Sequence, residues 1–128
     1  MIVRKIIDGT VYFLGWALSR RTVKIKSVDC IKVNMGCGLA IAPGWINVDA
    51  SLNALFAGSW VPLIKMLYKL SGANRYYSES EYCRVLSDNR FVFHDLAISL
   101  PFEPNSVDVF YSSHFLEHLF KNDALRLI

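Results

Sequence analysis

The chain has 128 residues, 53% hydrophobic, 13% aromatic and 20% charged, with a mean hydropathy of +0.30 and a net charge of +3. That length allows one domain or part of one, and ordinary Gly and Pro usage excludes collagenous, disordered and low-complexity classes. The longest stretch free of Asp, Glu, Lys and Arg, residues 33–48, contains Gly36, Gly38, Pro43 and Gly44, so no segment offers the ~20 mostly apolar residues of a spanning helix.

Charge is unevenly placed. Residues 1–32 carry seven bases (Arg4, Lys5, Arg20, Arg21, Lys24, Lys26, Lys32) against Asp8 and Asp29, a net of +5, and the remainder carries −2. A solvated charged face is the commoner meaning of such a segment, contact with a membrane surface or an anionic partner the alternative. No nucleic-acid partner is expected. Cys30, Cys37 and Cys83 are odd in number, with no C-x-x-C, and read as reduced, mostly buried thiols of a cytosolic protein.

In chain order, Arg4 and Lys5 precede an apolar run over residues 9–18, which has the outline of a signal peptide ending at Ala17-Leu18-Ser19. Asp8 interrupts it and Arg20-Arg21 follow at once. We read residues 1–27 as a basic extension with a short amphipathic helix, packed on the domain or lying at a membrane interface through Tyr12, Phe13 and Trp16. Residues 28–128 form the domain proper. VDCIKVN (28–34) is β-branched and apolar and stops at Gly36-Cys37-Gly38, a buried strand ending in a glycine turn. WINVD (45–49) is a second strand. Between 52 and 68 apolar residues recur at three and four, so helix is expected, interrupted at Gly58, restarted with Ser59 as cap and Pro62 in its first turn, and closed by Gly72. Ser78-Glu79-Ser80-Glu81 is a capping-box pattern that opens a further helix. RFVFH (90–94) is a third strand, residues 101–105 a turn, and VDVFYS (107–112) a fourth strand. From His114 onward Phe115, Leu116, Leu119, Phe120 and Leu125 mark a helix face. Strands alternating with helical segments indicate an α/β fold with a parallel sheet.

Gly36 and Gly38 let backbone approach a ligand closely, and Asp49, ending the next strand, is placed to accept hydrogen bonds from a ribose diol. A dinucleotide fingerprint would need a glycine at 41, where Ile41 stands, and an acid farther along than Asp49. A longer pattern accompanies these residues. Val33-Asn34-Met35-Gly36-Cys37-Gly38, then Gly44-Trp45-Ile46-Asn47-Val48-Asp49, then His94-Asp95-Leu96, then Leu100-Pro101-Phe102-Glu103-Pro104-Asn105-Ser106-Val107-Asp108, and Ser112-Ser113-His114-Phe115-Leu116-Glu117-His118 stand in one order.

Together they resemble class I S-adenosylmethionine-dependent methyltransferases of the type 11 branch, over about residues 32–49 and 91–128. The resemblance implies a Rossmann-like parallel sheet with strands ordered three-two-one-four, of which this sequence supplies four strands of the family's seven. It further implies S-adenosylmethionine as cofactor. Gly36, Cys37 and Gly38 would lie against its methionine moiety beside Asn34, Asp49 would hold the ribose, Asp95 and Leu96 would meet the adenine, and Ser112 and His114 would border the reactive methyl. His114 is the candidate acid or base. The family usually has an acid where Asn34 stands, and the link from Gly38 to Trp45 is too short for a full crossover helix. The methyl acceptor is not legible. The strand at 107–112 would be an unprotected edge, through which self-association or marginal stability is expected. Two other readings stand beside this one: a non-catalytic cofactor-binding or interaction module, and a zinc hydrolase through His114-Phe115-Leu116-Glu117-His118, which matches H-x-x-E-H but lacks a third ligand. The expected metal set is empty.

Overall fold

The computed structural model describes residues 2–18, 20–26 and 29–128. Ser19 of the small-x-small triplet and Val28, the expected start of the first strand, lie outside the described residues. Helix α1 spans Ile2–Leu18, well beyond the apolar run that suggested it. Strands β1 (Lys32–Met35) and β2 (Ile46–Asp49) follow, then helices α2 (Leu52–Phe56), α3 (Val61–Ser71) and α4 (Glu79–Asp88). Strand β3 (Phe91–Phe93), strand β4 (Val109–Ser112) and helix α5 (Lys121–Leu127) complete the chain. The four strands form one parallel sheet ordered β3-β2-β1-β4, with Val33 paired to Ile46 on one side and to Phe110 on the other. This is a Rossmann-like α/β fold.

Local chemistry explains most boundaries. The Ser78 hydroxyl accepts from the Glu81 amide while the Glu81 carboxylate accepts from the Ser78 amide, the reciprocal box that starts α4. Gly72 ends α3 in the left-handed conformation at φ 74°, open to few other residues. The expected Ser59 cap is displaced: the helix starts one residue later, with Trp60 at the N-cap and no side-chain cap, because Pro62 supplies a preset φ in its first turn. Residues 114–120 depart furthest from expectation. His114 adopts φ 53°, residues Leu116–His118 form one 3-10 turn, and α5 begins only at Lys121. Phe120 is 84% exposed and Leu125 also faces solvent, so the apolar spacing read as a helix face is not one.

Two apolar clusters hold the layers. One lies on the sheet, where Val33, Met35, Ile46, Val48 and Leu96 are buried and Phe115 and Leu127 pack against them. The other lies between α3 and α4, built on Ile64, Leu67, Ala73, Tyr82 and Leu86. Among the described residues strand β4 pairs with β1 alone, and Val109, Phe110 and Tyr111 are exposed along it. That exposed apolar edge is the feature on which the expected self-association rests.

The connection from β1 to β2 crosses between parallel strands in the ten residues 36–45 without a helix. Parallel neighbours ordinarily use a helical crossover of a dozen or more residues. A buried amide pair takes its place. Asn34 donates from Nδ2 to the Ala40 carbonyl and to Asn47 Oδ1, each at 3.0 Å. Asn47 Oδ1 also accepts from the Ala42 amide, and its Nδ2 reaches the carbonyls of Ala42, Trp45 and Arg90 at 3.2–3.3 Å. Both Asn side chains are buried. The loop is thus tied to the sheet by hydrogen bonds rather than by an apolar helix face.

His94 is buried just after β3, where its Nε2–H donates to the Ser99 carbonyl at 2.9 Å and its amide donates to the Asp49 carbonyl. Burial holds its pKa below the usual histidine value of 6.5, and the neighbouring Asp95 and the Ser99 bond offset only part of that. The unfolded chain takes up a proton near pH 6.5 that the native His94 resists. Stability is therefore complete above that pH and falls as pH is lowered through the window beneath it, by up to ~1.4 kcal/mol per pH unit. Thermal melts between pH 8 and pH 5 should show the decline, and His94→Gln should flatten it; an unchanged slope in the variant would assign the effect elsewhere.

Candidate functional site

The strand order reverses between β1 and β4, and open α/β sheets place ligands outside the carboxyl ends of the strands at such a switch point. A cleft of about 690 Å³ lies there, within the usual range of roughly 300–1,000 Å³ for small-molecule sites. The loop after β1 gives one wall, Asp49 at the tip of β2 gives another, and Tyr111, Ser113, His114, Phe115 and His118 give the third.

The glycine turn is closed onto β2. The Gly36 and Cys37 amides both donate to the Val48 carbonyl, at 2.8 and 3.2 Å, and the Gly38 amide donates to Asp49 Oδ2 at 2.9 Å. The second carboxylate oxygen accepts from the Ser51 amide at 2.8 Å. The two glycines have different reasons to be glycine. Gly36 has φ 63°, and a Cβ on it would overlap the Phe115 ring. Gly38 has φ 52°, and a Cβ on it would meet nothing within 4 Å. Gly36 therefore makes room for the protein's own phenylalanine, and only Gly38 offers open backbone. A Gly36→Val substitution would disturb the packing of the loop itself, not merely fill a ligand's path.

Six of the expected residues gather on this cleft: Asn34, Gly36, Cys37, Gly38, Asp49 and His114. Asn34 lines it with a side chain already committed to the amide pair. His114 stands at the rim with its side chain 91% exposed, and its Nδ1 lies 3.2 Å from Glu117 Oε1. Glu117 is held below the usual carboxylate range, first by its own backbone hydrogen bond and then by His114. Asp95, Leu96 and Ser112 stand off the cleft walls. Leu96 is buried in the sheet cluster, and Asp95 Oδ1 caps the Ala97 amide at 3.0 Å. Helix α1 crosses Asp95 at Gly15, where a Cβ would stand 3.4 Å from the Asp95 Cβ. Asn47 was not among the expected residues; a polar side chain inside an otherwise apolar β-strand is the signal that marks it.

His114 and His118 are not on one α-helix, because the chain between them passes from a left-handed residue into a 3-10 turn. Among the described residues no three His, Cys, Asp or Glu side chains are grouped as metal ligands.

Cys37 is buried beneath the cleft, and burial together with the nearby Asp49 charge pushes its thiol up to about 12. Cys83 is half-buried, and Cys30 is exposed, contrary to the expectation of mostly buried thiols. Since the thiolate is the reactive form, native Cys37 should react with iodoacetamide at pH 8 on the order of 10²-fold or more slower than Cys30. Peptide mapping after timed alkylation checks this; equal labelling would mean that the loop opens.

Comparison with protein-family models, with curated proteins and with solved structures found no match to this chain.

Proposed function

We propose that this cleft binds S-adenosylmethionine and that the chain belongs to the cofactor-binding half of a methyl-transferring enzyme. The observation that carries the reading is the chemistry of the cleft wall. It presents one carboxylate, Asp49, and among the described lining residues there is no Lys or Arg. The amides of Gly36, Cys37 and Gly38 are spent on β2. A phosphate needs free amides or cations to receive it, so a nucleotide phosphate is disfavoured here. A ligand with hydroxyl donors and positive charge suits the site, and S-adenosylmethionine has a ribose diol, a sulfonium and an ammonium group.

The residues fit the ribose and methionine portions. Each Asp49 oxygen keeps lone-pair capacity after its backbone bond, so it can still accept from a diol. Gly38 leaves open space for close approach. The adenine end is less open, since Asp95 lies beneath α1. When bound, the cofactor supplies a methyl group already activated by its sulfonium. The chain's task is then to hold the ribose through Asp49, to exclude water with Phe115 and Ile41, and to take the acceptor's proton at His114.

Calorimetric titration tests the reading. Binding of S-adenosylmethionine or S-adenosylhomocysteine, with no heat from ATP or NADH, is expected. A preference for ATP would overturn it. A second reading, binding without transfer, is favoured by the exposure of His114, and turnover with acceptor panels separates the two.

A further inference from the structure

We propose that the outer face of α1, with the basic segment that follows it, docks this chain on an anionic phospholipid surface. Helix α1 carries apolar residues on two opposite faces. Val11, Leu14, Gly15 and Leu18 recur at helical spacing and are the less exposed set, with Gly15 buried against Asp95. On a 3.6-residue helix, Ile6, Phe13 and Trp16 fall on the reverse side with Tyr12 at its flank. All four are exposed, Tyr12 to 72% and Trp16 to 63%. The Phe13 and Trp16 rings lie 6.1 Å apart and form a continuous aromatic patch.

A helix held by one face that carries exposed aromatics on the other presents an apolar patch to solvent, and contiguous patches of that kind mark interaction sites. Tyr and Trp are the side chains suited to the boundary between headgroups and acyl chains, where an apolar ring meets a wet edge. The charge beside the patch selects the surface. Arg20, Arg21, Lys24 and Lys26 follow α1 directly, are all exposed, and have no acid among residues 20–26. Basic groups beside an apolar face draw a helix to anionic lipid, and each acts within a Debye length of the surface. The α1 helix is too short and too little apolar to cross a bilayer; no described helix meets that requirement. The geometry is that of a helix lying in the interface. The Val23 amide donates to the Pro101 carbonyl at 2.7 Å and so ties the basic segment to the domain.

The test is flotation of the full chain with vesicles of phosphatidylcholine alone or with 30% phosphatidylglycerol. We expect at least tenfold stronger partition to the anionic vesicles, most of it lost in 0.5 M NaCl. The double variant Phe13→Ser/Trp16→Ser should lower partition at least tenfold while its thermal melt stays unchanged. The quadruple variant Arg20→Gln/Arg21→Gln/Lys24→Gln/Lys26→Gln should remove the preference for anionic lipid. Equal partition to both vesicles, or none to either, would overturn the proposal. So would a concentration-dependent dimer, abolished by Phe13→Ser/Trp16→Ser without vesicle binding, which would assign the patch to a second copy of the chain.

Discussion

Replacing Asn47 with alanine should destabilise the chain by about 3 kcal/mol or more, the largest effect expected of any single substitution outside the apolar clusters. The side chain is fully buried and its two polar atoms serve the Ala42 amide, the Asn34 amide and three carbonyls. Truncation leaves several of these groups in the interior with weakened or missing partners, and each orphan costs roughly 1–3 kcal/mol where water does not reach it. It also frees the 39–45 part of the loop, which this network ties to the sheet beyond the glycine turn. A drop in Tm on the order of 10–20 °C should follow for a domain of this size. Asn34→Ala removes one donor and leaves the Asn47–Ala42 bond, so its cost should be clearly smaller. The double variant should cost less than the two single effects combined, because they share a hydrogen bond. Chemical denaturation of all three variants checks the pattern. An Asn47→Ala protein within about 1 kcal/mol of the parent would show that the loop is held by something else.

Asp49→Asn should weaken S-adenosylmethionine binding by roughly 10- to 100-fold, the loss of a charge-assisted hydrogen bond of about 1.5–3 kcal/mol. The choice of asparagine matters. Asp49 bonds the Gly38 and Ser51 amides through separate oxygens, so asparagine keeps an acceptor for one of them and turns its NH2 toward the other. Alanine keeps none, so Asp49→Ala should also loosen the glycine turn and lower Tm. Calorimetry and thermal melts on both variants separate the two roles. Unchanged affinity in Asp49→Asn would remove the ribose assignment, and with it the main support for the proposed function.

The sheet was legible because its signals are local. Short β-branched runs ending at Gly36 and Asp49, the capping box at Ser78 and the C-cap at Gly72 each depend on neighbouring residues alone. The strand order came from the resemblance and agrees with the fold. What escaped the sequence depends on contacts between distant segments. Gly36 looked like a ligand-facing glycine because nothing nearby announces that Phe115 returns to fill the space beside it. Residues 114–120 have helical apolar spacing, yet the backbone of His114 turns left-handed and Phe120 faces solvent. The first helix was read as short because Asp8 interrupts the apolar run, yet α1 spans Ile2–Leu18. Asn47 was read as part of a strand motif, although a buried amide there has to bond something, and only the fold shows that it bonds a loop.

The separation of the apolar interior into two clusters has a consequence for how the molecule comes apart. Tyr82 and Leu86 of α4 meet Ile64 and Leu67 of α3, with Leu39, Leu52 and Phe56 packed around them, while the strands are packed on Val33 and Val48. Apolar contact that is not shared between two groups does not make them melt together. The α3–α4 hairpin can therefore open while the parallel strands stay paired, so backbone amides in these helices should exchange with solvent deuterium faster than those of β1 and β2. Hydrogen–deuterium exchange should then show layered stability, slowest in the strands that shape the ligand cleft and faster in the helical hairpin; uniform exchange across both would show that the two clusters open as one.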